Sequence, residues 1–100
     1  MVEELYNLNM FYVYILKNKF GDLYTGMTKD IDRRIYTHNS GRGARFTKRD
    51  TEFKLVFSET YESITEARKR EIQIKKWRRE KKEMLINRFA NNLETKTKSG

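Results

Sequence analysis

The sequence predicts an α+β domain, in which a small three-stranded antiparallel sheet is flanked by helices in the order strand, strand, helix, strand, helix, helix. Three observations lead to this fold class. Short aromatic and β-branched runs occur in the first half, and helical periodicity dominates the second half. At 100 residues, the chain is long enough for one hydrophobic core and no more.

The first two strands are predicted to form a hairpin. Residues 10 to 16 are an unbroken apolar run of strand length, and because both faces are apolar we expect this strand to be central. Residues 17 to 22 have the composition of a turn, and residues 23 to 27 of a return strand. Gly26 in that return strand predicts a place where another backbone approaches closely.

The first helix is predicted over residues 31 to 38. Thr28 or Asp30 can cap it, because either side-chain oxygen can accept from the free amides of a first helical turn. Glycines and bases then follow from residue 39 to residue 49, which ends the helix and predicts a loop that faces phosphate.

A third strand is predicted over residues 53 to 59, with Phe53, Leu55 and Phe57 on one face. Ser63 and Glu66 have the spacing of a capping box, so the following segment, to about residue 89, is predicted to be helical with a break near residues 77 to 79. The predicted organisation is a lead-in over residues 1–9, a domain over residues 10–90 and a flexible tail over residues 91–100.

Composition limits the classes of function. The absence of cysteine excludes disulfides, thiolate zinc sites and cysteine nucleophiles, and it fits a reducing compartment. No run approaches 18 apolar residues, and acids stand near the start where a signal peptide carries bases. We therefore expect a cytoplasmic protein with no membrane partner.

The charge indicates the kind of partner. The net charge is +8 and the pI about 9.8, which favours a polyanionic partner through counterion release. Nucleic acid is the first interpretation. A basic protein that is merely soluble, or one that contacts acidic membranes, is the alternative.

Two helices carry a charged residue on an otherwise apolar stripe. Arg34 and His38 share the helical spacing of Ile31 and Ile35, and a cation there needs a partner unless its stem packs while its head reaches water. In the second helix Glu71 lies on the stripe of Ile64, Ala67 and Ile74. That carboxylate can pair with Arg34 or hold a hard cation such as Mg²⁺.

Two tyrosines complete the candidate site. Tyr14 and Tyr24 lie on opposite arms of the predicted hairpin, where cross-strand or diagonal neighbours can meet. A tyrosine in a strand is usually a packing residue, so the position alone does not assign a role.

Together these residues resemble the GIY-YIG nuclease family. Residues 12–14 (Tyr-Val-Tyr) correspond to its first motif and residues 24–26 (Tyr-Thr-Gly) to its second. Arg34 and His38 correspond to the family's arginine and to the residue one turn later, and Glu71 to its metal-binding glutamate. The resemblance runs from about residue 10 to residue 86, and is closest to the small stand-alone bacterial members.

The resemblance implies a metal-dependent endonuclease that hydrolyses phosphodiester bonds. Glu71 would hold Mg²⁺ or Mn²⁺, and Arg34 would stabilise the negative charge that develops at phosphorus. Tyr14 is the first choice for the group that activates water, with Tyr24 and His38 as rivals. A phenol with a pKa near 10 needs a nearby cation to serve as a base at neutral pH.

The implied partner is DNA, or RNA as a second possibility. Backbone contacts are expected from the basic loop and from the outer face of residues 68 to 82, namely Arg42, Arg45, Lys48, Arg49, Lys75 and Arg78. Phe46 and Tyr36 are candidates for stacking on bases. Without a second domain to read sequence, selectivity for a DNA structure or a single strand is expected.

Three departures from the family pattern stand in the sequence. Tyr12 replaces a glycine in the first motif, Thr25 occupies the middle of the second, and Glu83 stands where family members often carry asparagine. The last favours an alternative function, a nucleic-acid-binding module that is catalytically weak or inactive. A protein-interaction domain with incidental charge is a third hypothesis.

Overall fold

The fold class and the order of elements are confirmed. The computed structural model describes residues 10–39 and 52–96. Its elements are β1 (Phe11–Lys17), β2 (Leu23–Thr28), α1 (Ile31–Asn39), β3 (Lys54–Tyr61), α2 (Ile64–Lys75) and α3 (Arg79–Ala90). The strands form one antiparallel sheet in the order β2-β1-β3, so β1 is central, as its two apolar faces predict.

One asparagine organises the turn between β1 and β2. The buried Asn18 accepts with Oδ1 from the backbone amides of Phe20, at 3.0 Å, and Asp22, at 2.8 Å. Its Nδ2 donates to the Asp22 carboxylate at 3.1 Å. Gly21, with φ of 87°, supplies the left-handed residue that the turn needs.

The two faces of the sheet are covered by different helices. On one face Val13, Ile15 and Phe57 pack with buried residues of α2 and α3, which are Ala67, Ile74 and Leu85. On the other face lie Tyr14, Leu16 and Phe53, packed with Tyr24, Ile31 and Ile35. The isoleucines of α1 therefore turn toward the sheet, as their spacing predicts.

A bulge in β3 corrects one prediction. Phe53, Leu55 and Phe57 were expected on one face, but Ile15 pairs with Phe57 and the next residue, Leu16, pairs with Leu55. Between these two pairs β3 advances by two residues while β1 advances by one. The side chains of β3 that precede the bulge therefore lie on the face opposite to the one that strict alternation from Phe57 predicts. Phe57 packs under α2 and α3, whereas Phe53 is buried on the face of α1 and Leu55 is 36% exposed.

The helix boundaries follow local capping. Asp30 caps α1, because its Oδ1 accepts from the Arg33 amide at 3.1 Å, and Thr28 in turn accepts from the Asp30 amide. Ser63 caps α2 by accepting from the Glu66 amide at 3.3 Å. The predicted break is confirmed, since α2 ends at Lys75 and α3 starts at Arg79. Within residues 10–39 and 52–96, no helix has the length and apolar character needed to cross a membrane.

A buried ion pair links β3, α2 and the end of the chain. Arg70 donates to both carboxylate oxygens of Glu59, at 2.9 and 3.0 Å, and Tyr61 donates to Glu59 at 2.8 Å. Arg70 also donates to the carbonyl of Thr95 at 3.0 Å, and Arg88 to that of Glu94 at 2.7 Å. The described part of the predicted flexible tail thus makes these contacts, and its mobility stays a prediction.

Candidate active site

Tyr14 lies across β2 at the position of Gly26. The two residues are paired in the β1–β2 register, and Tyr14 is only 4% exposed. A Cβ atom added to Gly26 would lie 2.4 Å from the Tyr14 Oη and 2.6 Å from its Cζ. The expectation of a close backbone approach at Gly26 is therefore wrong, because the aromatic ring of Tyr14 fills that space.

Replacing Gly26 by alanine is expected to destabilise the fold by displacing the Tyr14 ring. Overpacking of this kind costs about 1–3 kcal/mol, measurable by urea denaturation. The control is the same substitution in a Tyr14→Ala background, where we expect at least about 1 kcal/mol of coupling. An equal cost in both backgrounds would show that the ring is not what Gly26 accommodates.

The charges of Arg34 and Glu71 both act on Tyr14. Burial raises the pKa of Tyr14, the Arg34 guanidinium lowers it, and the Glu71 carboxylate raises it, with a net rise above 10. Tyr14 needs a nearby cation to act as a base, and Arg34 is that cation. The effect of burial on the Tyr14 pKa is nevertheless larger than the effect of the Arg34 charge. The three side chains share one electrostatic neighbourhood although they come from β1, α1 and α2.

His38 and Tyr24 meet around Phe53. The Phe53 ring centroid lies 5.0 Å from that of Tyr24 and 5.2 Å from that of His38. Burial lowers the pKa of His38 below 6.5, and the Arg34 charge lowers it further. His38 is therefore neutral at neutral pH and sits in the field of the same arginine as Tyr14.

Asn39 is a site residue that the sequence reasoning missed. Its Oδ1 accepts from the Phe53 amide at 2.7 Å and its Nδ2 donates to the Phe53 carbonyl at 3.2 Å. This double contact fixes Phe53 between Tyr24 and His38. In the sequence Asn39 has only the signal of a helix end, and nothing local relates it to a residue 14 positions away.

Arg34 is exposed on α1, which agrees with the interpretation in which its charged head reaches water. This was the alternative to a paired arginine. Exposure does not remove it from the site, because its charge acts on both Tyr14 and His38.

Glu71 is the carboxylate of this neighbourhood. Its side chain is 12% exposed, and one oxygen lies 3.2 Å from the Nζ of Lys75, one turn later in α2. Within the described ranges no three His, Asp or Glu side chains form a cluster that could enclose a metal ion. A largely buried single carboxylate fits a hard cation such as Mg²⁺ or Mn²⁺, which keeps several waters and takes further oxygens from a substrate phosphate.

The predicted backbone-binding residues divide into two groups. Lys75 lies beside the candidate site, because its Nζ contacts the Glu71 carboxylate. Arg78 precedes α3, its side chain is 89% exposed, and its Nη2 lies 3.9 Å from the Glu80 Oε1. Tyr36, a candidate for stacking on bases, is 65% exposed. The loop candidates lie outside the described residues: Arg42, Arg45, Lys48 and Arg49 for backbone contacts, and Phe46 for stacking.

Glu83 is held by two cations. Its carboxylate lies 2.8 Å from Arg79 and 3.6 Å from Lys17, and the hydrogen bonds from Arg79 hold its pKa below the usual range. The position where asparagine was expected therefore links α3 to β1.

Comparison with known proteins gives a consistent result. Residues 10–84 match the model of the GIY-YIG catalytic domain. The chain is similar to a UPF0213 protein of Staphylococcus saprophyticus, with 49% identity over 76% of this chain and 93% of that one. A UPF0213 protein of Staphylococcus aureus is 48% identical over 75% and 92% of the two chains.

Two solution NMR structures are also similar. A UPF0213 protein from Bacillus halodurans has 45% identity and a TM-score of 0.52, over 78% of this chain and 83% of that one. A protein from E. faecalis has 31% identity and a TM-score of 0.59, over 88% and 94%.

Proposed function

Because this chain belongs to the GIY-YIG family of catalytic domains, we propose that it is a metal-dependent endonuclease that hydrolyses phosphodiester bonds in DNA. The observation that carries the proposal is the convergence of Tyr14, Arg34 and Glu71 from three separate elements. Phosphodiester hydrolysis needs a proton acceptor for water, neutralisation of charge at phosphorus and help for the leaving oxygen. Arg34 would supply the positive charge at phosphorus, and Glu71 would hold the metal ion that assists the leaving oxygen. His38, which lies in the field of the same arginine, is the proposed proton acceptor.

Glu71 is the proposed holder of Mg²⁺ or Mn²⁺. A bound divalent ion supplies Lewis acidity toward a phosphate oxygen and stabilises a leaving alkoxide. The Lys75 ammonium beside Glu71 adds a second positive group at the place where a phosphate would enter.

Arg34 is proposed to bind the phosphoryl oxygens. Its guanidinium is exposed and carries paired donors that match phosphate geometry. Since the same charge favours neutral His38, Arg34 also prepares the proton acceptor.

His38 is the proton acceptor that the pKa directions favour. Its pKa is lowered, so at neutral pH the imidazole is already deprotonated. Tyr14, the first choice from the sequence, has a raised pKa and stays a phenol that can donate a hydrogen bond. Tyr24 contacts the Phe53 ring, which also contacts His38, and it packs against the cluster that contains Tyr14. Its proposed role is to orient the water or the substrate.

The pH dependence of cleavage separates His38 from Tyr14. With His38 as acceptor, the single-turnover rate should rise through the lowered pKa, below 6.5, and level off near neutral pH. In His38→Ala the acid limb should disappear along with most of the activity. A wild-type rate that climbs about tenfold per pH unit beyond pH 9 would instead assign the proton to a phenol.

The decisive assay incubates the protein with labelled single-stranded, duplex, flap and branched DNA, and with RNA, in Mg²⁺, Mn²⁺ or EDTA. We expect metal-dependent cutting of DNA, and a slowing of about 10²–10³-fold in Arg34→Ala. Arg33→Ala is the matched control, because it removes the same charge from the preceding position of α1 and leaves the candidate site residues in place. Equal rates for the two variants would refute the role of Arg34.

Substrate choice and cellular location extend the proposal. For this single domain we propose selectivity for a structural feature or a single strand over a long sequence, with RNA as the second polymer to test. A cytoplasmic location is part of the same proposal and is supported by the absence of cysteine. Salt-sensitive binding without cutting would support the alternative, an inactive binding module, which the Glu83 departure favours.

A further inference from the structure

We propose that a second backbone phosphate of the substrate strand, adjoining the scissile one, binds in a depression between β2 and the start of α3. The cations that would hold it are Arg79 and Lys82. This inference rests on the proposed nuclease function and adds a specific phosphate subsite to it.

The depression is large enough for a phosphodiester group. Its volume is about 480 Å³, and it is lined by Asp22, Leu23, Tyr24, Arg79 and Lys82. Three of these residues come from the hairpin and two from the first turn of α3. Two elements far apart in sequence thus form a polar concavity with two cations on one wall.

Arg79 and Lys82 are placed to act together. They are three residues apart on α3, a spacing that brings side chains to one side of a helix. Arg78 caps α3 without a side-chain hydrogen bond, so the positive end of a 12-residue helix dipole adds to their field. A guanidinium, an ammonium and a helix start together favour a phosphate oxygen.

Two carboxylates lie in or beside the depression against three cations, so one positive charge is in excess: Glu83 and Asp22 against Arg79, Lys82 and Lys17. Glu83 accepts from Nε and Nη2 of Arg79, at 3.1 and 2.8 Å, and is shared with Lys17 at 3.6 Å. Asp22 is held at the hairpin turn by the Asn18 amide. Among the residues that the structure describes, Lys82 is paired with no carboxylate, so its ammonium is available for a ligand.

Tyr24 connects the depression to the active site. Tyr24 is a lining residue of the depression, and its side chain belongs to the cluster of Tyr14 and Phe53, where it meets the Phe53 ring edge-on. A strand whose scissile phosphate lies among Tyr14, Arg34 and Glu71 can therefore run past Tyr24 and place the adjoining phosphate between Arg79 and Lys82.

The test compares Lys82→Gln with Lys81→Gln. The control removes the same charge from the neighbouring position, whose Nζ lies 4.4 Å from the Trp77 ring centroid and does not line the depression. Binding to the oligonucleotide that the wild type cuts is titrated with salt in EDTA, so that no cleavage occurs. Lys82→Gln should weaken binding at least about fivefold more than the control and reduce the salt slope by about one. Lys82→Arg should retain the wild-type affinity.

A scan with single neutral methylphosphonates locates the phosphate. A methylphosphonate at one position beside the cut should weaken binding by the wild type but not by Lys82→Gln. At every other position the two proteins should respond alike. If Lys82→Gln and Lys81→Gln bind alike, or if both respond equally at every methylphosphonate, the subsite is refuted while the nuclease proposal stands. A wild-type protein that neither binds nor cuts DNA or RNA would refute both.

Discussion

Replacing Glu71 by glutamine is expected to abolish metal-dependent cleavage while leaving the fold and nucleic-acid binding in place. The amide keeps the shape of the side chain but removes the negative charge that a divalent ion requires. Loss of a catalytic metal removes several kcal/mol of transition-state stabilisation, so we expect a fall of at least about 10³-fold in the cleavage rate. The measurement is a single-turnover assay with Mg²⁺ or Mn²⁺.

The fold should survive because little stability rests on Glu71. Its ion pair with Lys75 is an i,i+4 pair whose lysine is 54% exposed, and such pairs contribute about 0.3–0.5 kcal/mol. Removing a carboxylate near Tyr14 also lowers the pKa of that tyrosine toward its ordinary value. Thermal unfolding of the variant should therefore stay close to that of the wild type.

Glu80→Gln is the matched control for charge. Glu80 is an acidic residue in the first turn of α3, and its side chain is 84% exposed. We expect it to cut at the wild-type rate. Calorimetric titration with Mn²⁺ gives a readout that is independent of activity. Glu71→Gln should lose the Mn²⁺ binding that Glu80→Gln retains. Cleavage by Glu71→Gln at the wild-type rate would contradict the assignment of the metal site.

Replacing Glu59 by alanine is expected to cause the largest loss of stability. The Glu59 side chain is 2% exposed and accepts from Arg70 and Tyr61, so the variant leaves the guanidinium of Arg70, itself 13% exposed, without its counter-ion. Removal of one partner from a buried pair costs about 3–5 kcal/mol. Against a total of about 5–15 kcal/mol for a folded domain, this is a large fraction.

Urea denaturation measures that loss, with Glu62→Ala as control. Glu62 is an exposed acidic residue three positions on, so its removal should change the free energy of unfolding by less than about 0.5 kcal/mol. The contact that Arg70 makes with the Thr95 carbonyl depends on the same guanidinium, so the hydrogen-bonded amides of Asn92 and Leu93 should lose protection in Glu59→Ala. Equal stability of the two variants would show that Glu59 is not a stabilising residue.

The same pair predicts acid sensitivity. Burial raises the pKa of Glu59, but hydrogen bonds from Arg70, Thr95 and Tyr61 outweigh it and lower the pKa below 4.5. The stabilisation is therefore complete above the pKa of the unfolded chain and is lost as pH falls through the folded value. Between about pH 5 and pH 3, Glu59→Gln should show a weaker decline in stability than the wild type.

Local patterns predicted most of the fold. Strand and helix periodicity, the Ser63 cap and the break after Lys75 are properties of neighbouring residues, and the structure confirms them. The strand β3 is confirmed, but the prediction that Phe53, Leu55 and Phe57 share one face was wrong. The bulge depends on how β3 pairs with β1, and no local pattern in β3 indicates it. Asn39 was missed for a similar reason, since its partner lies beyond the loop.

By itself the sequence determined the order of the elements, the family and five candidate site residues, because spacings along the chain carry that information: Tyr14, Tyr24, Arg34, His38 and Glu71. Only the tertiary structure decided how those residues are tuned. The Tyr14 ring is buried against Gly26, and this burial raises its pKa. The bulge in β3 places Phe53 on the face of the sheet where it contacts His38. Desolvation and pairing are set by segments that are distant in sequence, so the proposed proton acceptor and the proposed second phosphate subsite could be inferred only from the folded chain.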